Sequence, residues 1–137
     1  RCGATNRSEM SAAGVAVLGY DRDAQEDSRQ ISMRAGSRFG LAQAEDSGGA
    51  WRITYEVITR PSAPFHLRVG AGESATLVDL APHFAHAQDK GWREMVITAD
   101  CAPGLGQRIA FEAEGDVLFR ISSVRREHLP EGTPCTF

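Results

Sequence analysis

The sequence predicts an all-β fold, an antiparallel β-sandwich or barrel with one short helix. Three observations carry that expectation. Apolar and polar residues alternate with a period of two in several segments, most clearly "WRITYEVIT". There Trp51, Ile53, Tyr55 and Val57 fall on one side, and Arg52, Thr54 and Glu56 on the other. Clusters of Gly, Pro, Asp and Ser separate these segments, as turns between short strands require. Only one stretch reads as a helix, so nothing covers the faces of a parallel sheet, and a βαβ nucleotide fold is disfavoured.

Taken in order, residues 1–12 ("RCGATNRSEMSA") show no period and read as an irregular arm. The sandwich itself is expected over residues 13–127, with a tail at 128–137 ("HLPEGTPCTF") carrying two prolines. "GVAVLGY" is a first strand, and "RQISM" follows an acidic loop as a second. "RFGLAQA" is short and apolar, and the Gly- and Asp-rich loop "EDSGG" ends it. "WRITYEVIT" is rich in aromatic and β-branched residues suited to a pleated surface. Proline lacks the ladder donor, so "RPSAP" stops it. "FHLRVG" repeats the alternation, with Phe65, Leu67 and Val69 against His66 and Arg68, and "ATLV" is a further short strand. In "DLAPHFAHAQDKG", Asp79 caps a helix of one or two turns, Pro82 sits in its first turn and Gly91 follows its end. "WREMVIT", "QRIAFEAEG" and "DVLFRISSV" close the series. The expected inter-sheet core is Ile53, Tyr55, Val57, Leu67, Val69, Ile97, Phe111, Phe119 and Ile121. A one-residue slip would expose each row.

The 137 residues suffice for one domain with a core. A net charge of −3, spread along the chain, offers no basic block for nucleic acid. The longest apolar runs, such as "GVAVLG", are too short to span a membrane. No signal peptide is read. The chain opens on Arg1 rather than methionine, as a processed chain or a fragment of something longer would. Three cysteines show no metal-ligand spacing. They read either as buried or free thiols, or, in an oxidising compartment, as a bridge between Cys2 and Cys135, because domain termini are often close.

Over residues 14–125 several stretches, in order, resemble one module. These are "DRDAQED" with "SRQISM", "TYEVITRPSAPFHLRVG" around a proline-bracketed turn, "LVDLAPHF", "KGWREMVITADC" and "IAFEAEGDVLFRISSVR". The chain resembles the galactose-binding-like domain at the C-terminus of bacterial glycoside hydrolase family 3 enzymes, the exo-acting β-glucosidases and β-glucanases. The resemblance implies a jelly-roll sandwich like that of carbohydrate-binding modules. It further implies a periplasmic or secreted enzyme whose catalytic carboxylates lie in other domains. Departures from the family pattern are a methionine, Met33, where tryptophan is expected, and "GAGES" without the expected cysteines, which leaves Cys101 without its usual partner. Ser123 also stands near an expected Asp or Asn, which weakens a structural calcium site.

The chemistry read from the residues agrees with a non-catalytic role. A glycosidase needs two carboxyl groups flanking one bond, roughly 5–10 Å apart. In "DRDAQEDSRQ", Glu26 and Asp27 are adjacent and would point to opposite faces if extended. A capped turn with Asp27 holding backbone donors or Arg29 fits them better. Calcium held by Glu26 or Asp27 with backbone carbonyls is sensible chemistry for a hard cation. His83 and His86 share a helix side, but "HFAH" lacks the glutamate of a zinc-hydrolase helix and reads as a solvated face. There is no Gly-x-Ser-x-Gly elbow. Sugar binding remains, and it needs an aromatic platform with fixed polar groups. Most aromatics here belong to the core pattern, whereas Trp92 opens its strand and fits either role. The polar face is expected to carry Arg52, Glu56, His66, Arg68 and Arg120 together as the working surface. Its expected partner is β-glucan or oligosaccharide, or else the catalytic domains of the parent hydrolase.

Overall fold

The computed structural model of the chain describes residues 8–12, 14–20, 28–42, 49–70 and 72–137. Among them the strands are β1 (Ser8–Ala12), β2 (Val15–Tyr20), β3 (Ser28–Met33), β4 (Ser37–Ala42), β5 (Ala50–Thr59), β6 (Phe65–Val69), β7 (Thr76–Asp79), β8 (Trp92–Ile97), β9 (Arg108–Ala113) and β10 (Val117–Glu127). A single helix, α1 (Ala81–Ala87), lies between β7 and β8, and a 3-10 turn precedes β7. The strands form a six-stranded sheet, in the order β1-β2-β3-β10-β5-β8, and a four-stranded sheet, β4-β9-β6-β7. Every pairing is antiparallel. The all-β sandwich with one short helix is therefore the observed architecture.

Period-two burial sets the layers. β5 buries Trp51, Ile53, Tyr55 and Val57, β6 buries Phe65, Leu67 and Val69, β9 buries Ile109, Phe111 and Ala113, and β10 buries Val117, Phe119 and Ile121. All nine residues expected between the sheets lie in the one hydrophobic core. At its centre Phe119 meets Phe84, Phe111 and Phe65, with ring centroids 5.3, 5.3 and 5.9 Å away. Phe84 comes from α1, whose buried side is Phe84 and Ala87, so the helix plugs one end of the sandwich. Its N-cap position is Leu80, one residue later than the expected Asp79. The Asp79 carboxylate nevertheless accepts the Ala81 amide at 3.2 Å, and Pro82 occupies the first turn, where it has no helical bond to lose. On the outer side of α1, His83 stacks on Phe137 at 3.9 Å while His86 is exposed.

At the other end, Trp51 is fully buried and donates from its indole nitrogen to the Gly106 carbonyl at 2.8 Å. Gly49, just before β5, has φ +84°, and a Cβ there would collide with the Glu127 carbonyl, so the turn into β5 requires glycine.

Two expectations are corrected, and the expected tail gains a contact. Ser8–Ala12, expected within an irregular arm, is strand β1 paired with β2; in "SEMSA" the alternation of Met10 and Ala12 with Glu9 and Ser11 covers only four residues, too short a run to mark a strand, and its ladder bonds are main-chain. The segment 128–137 is tied back to the sandwich, since Val96 and Thr136 exchange backbone hydrogen bonds of 2.9 and 3.0 Å along the β8 edge. The disulfide joins Cys101 to Cys135, with Cα atoms 6.1 Å apart, not Cys2 to Cys135. Pairing of Thr136 beside β8 brings Cys135 to the turn that follows β8, where Cys101 sits. Cys2, like Glu26 and Asp27, lies outside the described residues. No helix of the described residues is long and apolar enough to cross a membrane.

Candidate functional site

The residues between the buried ones point outward, but from two different sheets. On the six-stranded sheet, one row runs across the strands through Trp92 (β8), Glu56 (β5), Arg120 (β10) and Gln30 (β3). Arg120 donates to Glu56 at 3.1 Å. Trp92 is 44% exposed, and among the described residues only Leu77 is another large apolar side chain so open to solvent. Farther along β5, Arg52 donates to Glu94 at 2.8 Å and forks onto both oxygens of Glu127 at 3.1 and 2.6 Å. Those bonds hold the Glu127 carboxyl below its ordinary range, against some opposing burial.

His66 and Arg68 stand on the outer face of the four-stranded sheet instead, on the far side of the core. Alternation tells inside from outside but not which sheet a strand joins, so the expected single polar face divides in two. Arg52, Glu56, Arg120 and Trp92 share one face; His66 and Arg68 share the other with Arg38, Arg108 and Glu112. Glu112 is the hub of the second face. Its carboxylate takes Arg38 at 2.6 Å, Arg68 at 2.6 and 3.3 Å, and His66 Nε2 at 2.8 Å. Burial is the largest single influence and would raise its pKa, but the hydrogen bonds from Arg68 and His66 with the charges of Arg38 and Arg68 outweigh it and hold it at about 2.

That depressed value makes a pH prediction. A carboxyl whose folded pKa lies below its unfolded one stabilises the fold when ionised. The contribution of Glu112 is complete above the ordinary value of 4.5 and is lost as the pH falls toward about 2. Urea unfolding at pH 6 and pH 3 should show Glu112→Gln less stable than wild type by about 1–2 kcal/mol at the higher pH and by clearly less at the lower. An equal difference at both would show that Glu112 acts by packing alone.

Between Arg38, Arg68 and Arg108 the second face holds a groove of about 340 Å³ floored by Gly40, Ala42 and Ala110. Sequence reasoning missed Arg38, Gly40 and Arg108. The period in "SRFGLA" and "RIAFEA" holds the signal, since these residues alternate with the buried Ser37, Ile109 and Phe111. Among the described residues no group of three or more His, Cys, Asp or Glu side chains is placed to hold a metal ion.

The fold is similar to the extra C-terminal domain (X) of the exo-1,3/1,4-β-glucanase ExoP from a Pseudoalteromonas species. The TM-score is 0.69 at 20% identity, over 93% of this chain and 79% of that one. It is likewise similar to the structure of the exo-1,3/1,4-β-glucanase itself from the same organism, with a TM-score of 0.69 at 19% identity over 91% of this chain. This chain covers 17% of that glucanase. No curated protein matches the sequence. Residues 3–111 match the family model Exop_C, described as galactose-binding domain-like. With the sandwich of two antiparallel sheets and its single short helix, that match settles the resemblance read from the ordered segments: the chain belongs to the Exop_C family of galactose-binding-like domains.

Proposed function

We propose that this chain is a non-catalytic accessory module of a family 3 glycoside hydrolase, and that it presents soluble β-glucan or oligosaccharide to the catalytic domains. The observation that carries the reading is the row of Trp92, Glu56, Arg120 and Gln30 on the six-stranded sheet. A sugar ring has an apolar face of C–H groups and a rim of hydroxyls, so an exposed indole beside fixed donors and acceptors suits it. The Arg120–Glu56 bond holds both groups in place before a ligand arrives, which lessens the ordering a glycan must impose. Among the described residues one exposed ring rather than a stripe of them favours a soluble chain over a crystalline surface. Similarity to a glucanase's extra C-terminal domain supports an accessory role. The outward carboxylates Glu56, Glu94, Glu112 and Glu127 are each held by arginine, so none of these four stands as a free acid or nucleophile. The Cys101–Cys135 disulfide supports a periplasmic or secreted location.

Affinity electrophoresis of the chain through soluble mixed-linkage and 1,3-linked β-glucans tests the proposal. Trp92→Ala and Glu56→Ala should each weaken retardation at least about fivefold, a loss near 1 kcal/mol, with little change in thermal unfolding. Wild type that runs unretarded in every glucan would overturn the proposal in favour of a module that only docks on its catalytic neighbour. Retardation unaffected by both substitutions would remove this row from the binding surface.

A further inference from the structure

We propose that the groove on the outer face of the four-stranded sheet is a second ligand site, separate from the Trp92 row, and that it takes sugars bearing carboxylate or sulfate groups. The whole chain carries a net −3, yet three guanidiniums, those of Arg38, Arg68 and Arg108, line this groove. Among the described residues the carboxylate beside them is Glu112, and its two oxygens are already taken by Arg38, Arg68 and His66. Asp79 lies beyond His66 in the same row, on the edge strand and away from the groove lining. The described lining of the groove is therefore cationic in a chain of net negative charge, with guanidinium donors to spare. Arginine forks match planar carboxylates and sulfate oxygens through paired hydrogen bonds.

Gly40 lies inside β4, directly across from Ala110. Its φ is not left-handed, and a Cβ there would come no nearer than 3.7 Å to the Ile109 carbonyl oxygen, an ordinary contact. Neither backbone nor packing requires glycine at this place, and glycine weakens a strand interior. What the missing side chain does is leave the floor open. Gly40, Ala42 and Ala110 together form a smooth patch on which a sugar ring can rest while its charged substituent reaches the arginines. The floor and rim thus supply an apolar platform and an anion clamp in one groove, of a size for a small saccharide.

The test is a titration of the whole chain with trigalacturonate, a sulfated trisaccharide and neutral cellotriose, followed by backbone NMR shifts. At low salt, the anionic sugars should bind at least about tenfold more tightly than the neutral one and weaken as ionic strength rises. Preference between the first two assigns carboxylate or sulfate as the natural group. The shifts should centre on Gly40, Ala110 and Arg108. Gly40→Val should fill the floor and abolish binding without lowering the melting temperature. Arg108→Gln should weaken binding about fivefold or more, again with the fold intact. Trp92→Ala should leave this binding unchanged, so that failure here and failure of the neutral-glucan site can be told apart. Equal affinity for cellotriose, undiminished binding by Gly40→Val, or shifts centred on Trp92 would each overturn the proposal. So would tight binding of an oligoglutamate peptide with none of either anionic sugar.

Discussion

Phe119→Ala should destabilise the domain by about 3–5 kcal/mol, as expected for truncating a fully buried aromatic ring whose surroundings close in only partly. Phe119 is the point where all layers meet. It lies on β10, in the middle of the six-stranded sheet, and touches Phe65 and Phe111 of the opposite sheet and Phe84 of the helix. Its loss leaves a void facing three rings fixed by their own strands and helix. Phe65 and Phe111 are stacked with centroids 6.0 Å apart, and Phe84 is stacked on Tyr55 at 5.2 Å, so none can swing in without breaking another contact. Urea denaturation should show the midpoint falling with the slope unchanged. Phe119→Leu, which keeps most of the volume, should lose well under half as much. A loss below about 1 kcal/mol for the alanine variant would mean that the centre of the sandwich is not close-packed.

The same residues show how far the sequence can be read. In "DVLFRISSV" and "WRITYEVIT" every buried position follows from period two, because each strand has one dry and one wet face. Assignment of strands to sheets is a matter of which distant segments pair. β6 lies between β9 and β7 in the smaller sheet, although β5 directly precedes it in the chain. Alternation alone accordingly groups His66 and Arg68 with Arg52 and Glu56, when the core lies between them. β4 shows a different kind of loss. "RFGLAQA" reads as apolar, and the outward alternation of Arg38 and Gly40 is short enough to pass unnoticed until Glu112 and Ala110 appear beside it. The Trp92 row is partly legible. Trp92 falls out of phase with the buried Met95 and Ile97 of its own strand, and its neighbours Glu56 and Arg120 follow from alternation, but only the register sets them side by side.

Cys135→Ser should lower stability by about 3–4 kcal/mol, and the melting temperature by about 10 °C, under oxidising conditions. The bridge spans 34 residues, from the turn after β8, through β9 and β10, to the C-terminal segment. Closing a loop of that length removes much of the unfolded chain's freedom, and that entropy sets the magnitude. Local structure adds to it. Thr98 donates its hydroxyl to the Thr133 carbonyl at 2.7 Å, and Thr136 pairs with Val96, so the bond fastens a segment already seated against β8. Without it, that segment's hold rests on these hydrogen bonds and on the stacking of Phe137 against His83, and the outer edge of β8 is more easily bared. Reduction of wild type should reproduce the loss, and Cys101→Ser should match Cys135→Ser, since either removes the same link. Peptide mapping without reductant should recover Cys101 joined to Cys135, and thiol titration of the denatured chain should count one free thiol of the three cysteines. A Cys2–Cys135 peptide, or a Cys135→Ser variant that melts with wild type, would refute this assignment. Glucan retardation of the folded Cys135→Ser variant should persist, because Thr136 bonds to Val96 while Trp92 begins the same strand on its outer face.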